Sequence, residues 1–319
     1  MEIEIVTPGW DSPATGNAVT ARRYARIFSR LGHKATVSEL YSGRDCDLLV
    51  ALHARRSFES IRRFHSRKPK SPMVLVLTGT DLYRDISSSQ DARRALGLAT
   101  RLVVLQEFGL REIPEPFRSK TTVIYQSATA SRAKLRRSRK YFQVCTIANL
   151  REEKDPLRTA TAVRNLPEVS RIRVVHIGRS LDQALELRAS QETLRNPRYR
   201  WIGEQTQRKT RKILAESRLF VLTSRLEGSS NALSEALASS VPVIASRIPG
   251  LEGTLGRYPG LFPPGDTGAL SKLLFRAETD AEFYSGLQKA CSRIKPLILP
   301  RREMNSWKEL LKSIKRDGK

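Results

Sequence analysis

Short apolar runs rich in β-branched residues alternate with helical patterns from one end of the chain to the other, and this alternation restricts the possible folds more than any other feature. Strands are expected at residues 2–6, 35–39, 47–52, 73–77, 102–105 and 122–125, and again at 142–148, 172–177, 199–202, 219–222 and 241–245. Helical segments lie between most of them. In residues 18–31, Tyr24, Ile27, Phe28 and Leu31 share one helical face, and Arg22, Arg26 and Arg30 another. Strands alternating with helices build parallel sheets covered on both faces. The length of 319 residues is about twice that of a common single domain, so two such sheets are expected.

The break between the two series falls at residues 127–140, SATASRAKLRRSRK, which is polar, basic and poor in large apolar side chains. The expected organisation is an N-terminal domain at 1–130, a linker at 131–140, a C-terminal domain at 141–299 and a closing segment at 300–319. That segment carries Trp307, Leu310, Leu311 and Ile314 at helical spacing, as for a helix packing back on the N-terminal domain.

The formal charge is +25, which calls for anionic partners: nucleic acid, an acidic membrane surface or phosphorylated substrates. Aromatic residues total 7% and are not interleaved with the basic ones, so nucleic acid is not an expected partner. No apolar run approaches the ~18 residues of a membrane span, and membrane association is not expected. The first residues, MEIEIVTP, read as a strand and not as a leader. Cys46, Cys145 and Cys291 have neither disulfide nor metal spacing, so the expected location is the cytoplasm and no metal site or cofactor is expected. The oligomeric state is left open.

In open parallel sheets, ligands bind beyond the carboxyl ends of the strands, so the loops after strands are the places to look. The segment 219–246, LFVLTSRLEGSSNALSEALASSVPVIAS, places Glu227, Gly228, Ser229 and Ser230 after a buried strand. A helix then starts near Asn231. Gly228 permits close approach to the backbone. The N–H groups of residues 229–231 sit at a helix N-terminus, which suits a diphosphate. Asn231 and Glu235 are one turn apart, and Glu235 can accept both hydrogen bonds of a ribose diol.

This segment resembles the donor signature of retaining GT-B glycosyltransferases: two glutamates separated by seven residues, a Glu-Ala pair and a Pro-Val strand, here Glu227, Glu235, Ala236, Pro242 and Val243. The resemblance implies two Rossmann-like domains facing across a cleft, an α/β fold, with Glu235 on the ribose and Glu227 facing the transferred sugar. The family commonly has Phe-Gly where this chain has Ser229-Ser230. Residues 260–270, GLFPPGDTGAL, match the segment that follows the donor site. In the loop after 142–148 the family places arginine and lysine five apart on the diphosphate. Lys154 matches, but Asn149 stands at the arginine position, and Arg151 is expected to take over its charge. Gly16 and Asn17 stand at the family's Gly-Gly loop, and His53 at the histidine that faces the donor sugar.

The strings DLLVALHARRS, LTGTDLYRD, RLVVLQ, VIYQSA and NLREEKDP, in this order, are similar to the selenosugar synthases of selenoneine biosynthesis, the SenB family. That likeness implies an enzyme joining a UDP-sugar (UDP-N-acetylglucosamine or UDP-glucose) to selenophosphate. The products are a 1-selenosugar, UDP and phosphate. Selenium in such an anion is nucleophilic without losing a proton, which suits a chain with four histidines and no His-carboxylate motif. Arg151 and Lys154 would offset charge on the departing UDP, with Glu227 and His53 completing the catalytic set. Arg55, Arg56, Thr80 and Arg84 are expected to hold the acceptor phosphate. The alternative expectation is a GT-B hexosyltransferase acting on a hydroxyl of a lipid or polysaccharide at the membrane surface, with helix 18–31 as the contact.

Overall fold

A computed structural model describes residues 1–11, 15–130 and 137–317. Residues 131–136 of the expected linker lie outside the described residues. The chain forms two compact units: Met1–Gln126, Glu227–Asn231 and Pro300–Lys319 make unit 1, and Ser127–Leu226 with Ala232–Leu299 make unit 2.

Unit 1 is built on strands β1 (Glu2–Val6), β2 (Lys34–Ser38), β3 (Leu48–Leu52), β4 (Met73–Val76), β5 (Arg101–Val104) and β6 (Thr121–Val123). All run parallel, in the order β2-β1-β3-β4-β5-β6. Every residue of β3, LLVAL, is buried, because helices cover both faces of the sheet. Unit 2 is built on β7 (Phe142–Ile147), β8 (Ile172–Ile177), β9 (Tyr199–Trp201), β10 (Leu219–Leu222), β11 (Val243–Ser246) and β12 (Leu261–Phe262). These too are parallel, in the order β12-β11-β10-β7-β8-β9. Both sheets are Rossmann-like and doubly wound. Strand order reverses between β1 and β3 in unit 1, and between β7 and β10 in unit 2. Ligands of such sheets sit at those switch points.

The expected strands are present, most with ends displaced by a residue or two. The largest displacements are at 122–125, where the strand ends at Val123, and at 241–245, where pairing begins only at Val243, after Pro242. Strand β12 was not expected; with two residues it is too short to show a period.

Helix α1 spans Gly16–Arg30, so Gly16 and Asn17 lie in its first turn and not in a loop before it. The cause is a cap: Thr15 Oγ1 accepts the Ala18 N–H at 3.2 Å, ahead of the apolar periodicity. The closing helix Pro300–Asp317 lies against α1 within unit 1. The Trp307 ring sits edge-on to Tyr24 and Phe28, at centroid distances of 4.7 and 5.0 Å. Leu310, Leu311 and Ile314 continue the same buried face. No helix among the described residues is long and apolar enough to cross a membrane.

Candidate functional site

In unit 1 the loops after β3 and β4 meet at the switch-point side of the sheet. Their anchor is Asp81, which is fully buried. Its carboxylate accepts the backbone N–H groups of Ala54, Thr78 and Gly79 at 2.8–2.9 Å. Three N–H donors offset the desolvation of this carboxylate. The turn Asp81–Asp85 is a π-turn, closed by the Ile86 N–H on Asp81 O. This turn buries Asp85 as well.

The expected acceptor residues gather around these two carboxylates. Arg55 Nε bonds Asp85 Oδ2 at 2.8 Å, and Arg84 Nε approaches Asp85 Oδ1 at 3.4 Å. Both guanidinium side chains remain about half exposed. Arg56 is exposed and makes no ion pair among the described residues. His53 is buried, with a left-handed backbone (φ 75°) that is rare outside glycine. Its Nδ1 accepts the Arg56 N–H at 3.3 Å. That assigns the ring proton to Nε2, which donates to Thr80 Oγ1 at 2.9 Å. Burial holds the His53 pKa below its ordinary value. The imidazole is therefore neutral and already engaged at both nitrogens.

Residues 227–231, expected in the C-terminal domain, cluster with unit 1. The close approach that Gly228 permits is to the chain itself: a Cβ there would lie 2.3 Å from Thr78 O, and one on Gly79 would lie 2.9 Å from Gly228 N. Glu227 is buried. Asn231 Oδ1 accepts from Arg23 at 2.7 Å, and its Nδ2 donates to Gly16 O and Thr20 Oγ1 at 3.2 and 3.3 Å. Gly16 and Asn231 are thus brought together by side-chain hydrogen bonding, and the Asn231 amide is occupied. The Asn17 side chain makes no hydrogen bond among the described residues.

In unit 2 the loops after β7 and β10 are joined, as the switch point requires. Thr223 Oγ1 donates to the carbonyls of Lys154 and Asp155 at 3.1 and 2.9 Å, and the Arg225 N–H donates to Glu153 O at 2.8 Å. This holds the short turn Glu152–Lys154 beside the end of β10. Arg151 lies 4.0 Å from Glu153, half exposed. Asn149 is spent on structure: its Oδ1 accepts the Arg179 N–H at 3.2 Å and ties the loops after β7 and β8. Glu235, in the helix Asn231–Ala238, pairs with Arg211 at 3.1 Å. Among the described residues no group of His, Cys, Asp and Glu is placed to hold a metal ion.

The chain matches the model of the family described as glycosyl transferases group 1 over residues 127–293, more than half its length. It belongs to that family. The fold of the whole glycosyltransferase agrees. HepE of Anabaena, solved with UDP and glucose, superposes with a TM-score of 0.76 at 15% identity, covering 98% of this chain and 100% of that one. Sucrose-phosphate synthase of Thermosynechococcus elongatus gives 0.79 at 14% identity over 99% and 100%. An E. coli trehalose-6-phosphate protein bound with UDP-2-fluoro glucose gives 0.74 at 11% over 99% of both chains. At these identities the likeness is one of fold, and that fold is the expected α/β GT-B class. Sequence reasoning missed four supports of the glycosyltransferase's loops: Asp81, Gln106, Thr223 and Arg211. Gln106 and Thr223 left a trace, each as a polar residue directly behind an apolar run, LVVL and LFVL.

Proposed function

We propose that this glycosyltransferase takes the sugar of a UDP-sugar, UDP-N-acetylglucosamine or UDP-glucose, and joins its anomeric carbon to the selenium of selenophosphate. The observation that carries this reading is the loop pair after β3 and β4. There Arg55, Arg56 and Arg84 stand with Thr80 around a histidine that has no free nitrogen. Such a site holds an anion in charge-assisted hydrogen bonds but offers no imidazole base for a hydroxyl. Selenophosphate needs the first and not the second.

Selenium attacks the anomeric carbon, and the bond from that carbon to the UDP oxygen breaks, with its electron pair leaving on UDP. Water then cleaves the selenium–phosphorus bond, releasing phosphate and the 1-selenosugar. Lys154 and Arg151 offset the charge that builds on the leaving diphosphate. Residues 229–231 supply backbone N–H groups to it. Glu235 exchanges Arg211 for the ribose diol, Glu227 faces the sugar, and Gly16, Asn17 and Asn231 border the donor. The UDP and UDP-glucose complexes of HepE support a UDP-sugar donor.

A hydroxyl acceptor is the second reading. Asp85 Oδ2 lies 3.8 Å from His53 Nε2, close enough for its charge to favour a proton on that ring. The membrane form of that reading loses its contact surface, since the apolar face of α1 is covered by the closing helix.

Mass spectrometry of a reaction containing UDP-sugar and selenophosphate decides between them. A selenosugar with equimolar UDP is the expected result, and UDP release only with a hydroxyl acceptor would overturn it. In the same assay, Arg84→Ala should raise the apparent KM for selenophosphate at least about tenfold, with donor KM nearly unchanged. Unchanged selenophosphate dependence in Arg84→Ala, Arg55→Ala and Arg56→Ala alike would place the acceptor elsewhere.

A further inference from the structure

We propose that Gln106 is a positioning residue that aims the Ser229 N–H at the donor diphosphate. The inference rests on the donor-site reading above and adds a residue to it.

Gln106 follows β5 and is fully buried. Its Oε1 accepts the Gly109 N–H at 3.1 Å, which settles which end of the amide is oxygen. Its Nε2 then has two hydrogens and two acceptors: Tyr83 Oη at 2.6 Å and Gly228 O at 3.3 Å. In a trans peptide the carbonyl and the following N–H point in opposite directions. Drawing Gly228 O toward Gln106 therefore turns the Ser229 N–H away from it. That N–H makes no hydrogen bond among the described residues, and Ser229 is half-buried.

The surrounding chain explains why a side chain is needed for this. Flipping the 228–229 peptide turns ψ of Gly228 and φ of Ser229, and glycine, with no Cβ, leaves the first of these rotations unhindered. The packing of Gly228 on Thr78 and Gly79 fixes where the backbone passes, since no Cβ fits at either glycine. It does not choose which way the carbonyl points. The Gln106 amide makes that choice by offering a donor and no acceptor at the spot where the 228–229 peptide arrives. The reverse peptide would set an N–H against an N–H and leave Gly228 O on the anion's side, where it would repel a diphosphate. Gln106 acts through the loop and touches no substrate.

The test is calorimetric titration of the full chain with UDP and, separately, with uridine, which lacks the diphosphate. Gln106→Glu keeps acceptors for the Gly109 N–H and the Tyr83 hydroxyl but removes the donor to Gly228 O. UDP affinity should fall about tenfold or more, as for a lost hydrogen bond to a charged group, while uridine affinity stays within about twofold. Gln106→Met, uncharged and of similar length, should show the same split, and it replaces the Glu variant if burying a carboxylate unfolds the loop. Equal losses for UDP and uridine would mean general loosening and overturn the proposal, as would wild-type UDP affinity in both variants. Glu235→Ala run alongside separates the two levels. If it weakens UDP while the Gln106 variants do not, only this inference fails. If it too binds UDP like wild type, the donor-site reading itself falls.

Discussion

The two units carry the same kind of sheet and place their candidate loops at the same kind of switch point, yet they hold those loops differently. In unit 1 the supports are buried: Asp81 and Gln106 are wholly inside and spend most of their hydrogen bonds on backbone groups of the loops. The arginines above them are left half exposed. In unit 2 the carboxylates sit nearer the surface, each matched to an arginine: Glu235 to Arg211, and Asp155 to Arg158 and Arg225. A buried carboxylate with three N–H donors is hard to displace, because any rearrangement strands charge in a low dielectric. A partly exposed ion pair contributes about 0–1 kcal/mol and can change partners at little cost. Unit 1 thus has the supports of a rigid seat, and unit 2 has pairs that a ligand can replace.

The largest expected effect tests the rigid side. Asp81→Ala leaves three N–H groups without an acceptor, those of Ala54 and Gly79 buried, at about 1–3 kcal/mol each, so roughly 3 kcal/mol or more of stability should go. For a unit of this size that is a fall of roughly 6–12 °C in the melting temperature of unit 1. Arg211→Ala, its counterpart in unit 2, should cost less than about 1 kcal/mol. Equal losses in the two variants, measured by calorimetric melting, would break the contrast.

The next effect sharpens it, because unit 2 has buried anchors too, and one of them titrates. His176 is fully buried; its Nε2 donates to Ala148 O at 2.8 Å and its Nδ1 accepts from the Tyr199 hydroxyl at 2.6 Å. Burial lowers its pKa from 6.5 to about 4. The unfolded chain therefore takes up this proton near pH 6.5 and the folded chain only near pH 4. The stability it contributes is complete above pH 6.5 and is lost as the pH falls toward 4, by roughly 3 kcal/mol. Urea denaturation at pH 7 and pH 4.5 measures this. His176→Gln should lose less stability than wild type over that interval, and an identical loss in both would remove His176 as the cause.

The smallest effect concerns exchangeability. Glu235→Ala should weaken UDP binding by about ten- to a hundredfold, the worth of hydrogen bonds to a charged acceptor of roughly 1.5–3 kcal/mol. Arg211→Ala should change it by less than about threefold, since in the proposed donor site the arginine only occupies Glu235 until a ribose arrives. If Arg211→Ala weakens UDP as much as Glu235→Ala does, the pair is a fixed element and the distinction between the units fails there.

Period and punctuation made the architecture legible. Runs such as LLVAL and LFVL, short and bounded by polar residues, read as strands covered on both faces, and the basic stretch at 127–140 separates two series of them. The spacing of Glu227 and Glu235 behind a buried strand was legible for the same local reason: strand, loop and helix follow within one segment. Local pattern also located Arg55, Arg56, Thr80 and Arg84 behind their strands. It was silent on Asp85 as the partner of Arg55, 30 residues away. It was equally silent on Gln106, which reaches a carbonyl 122 positions away. The sequence by itself determined two doubly wound sheets and which loops carry the polar side chains, because hydrophobic burial and helix starts are written in neighbouring residues. Only the tertiary structure decided that residues 227–231 belong with unit 1, that Gly228 faces Thr78 and Gly79, and that Asp81 and Gln106 hold the loops from beneath. Those choices depend on backbone groups brought together by sheet order, and a side chain's letter does not say which distant N–H or carbonyl will need it.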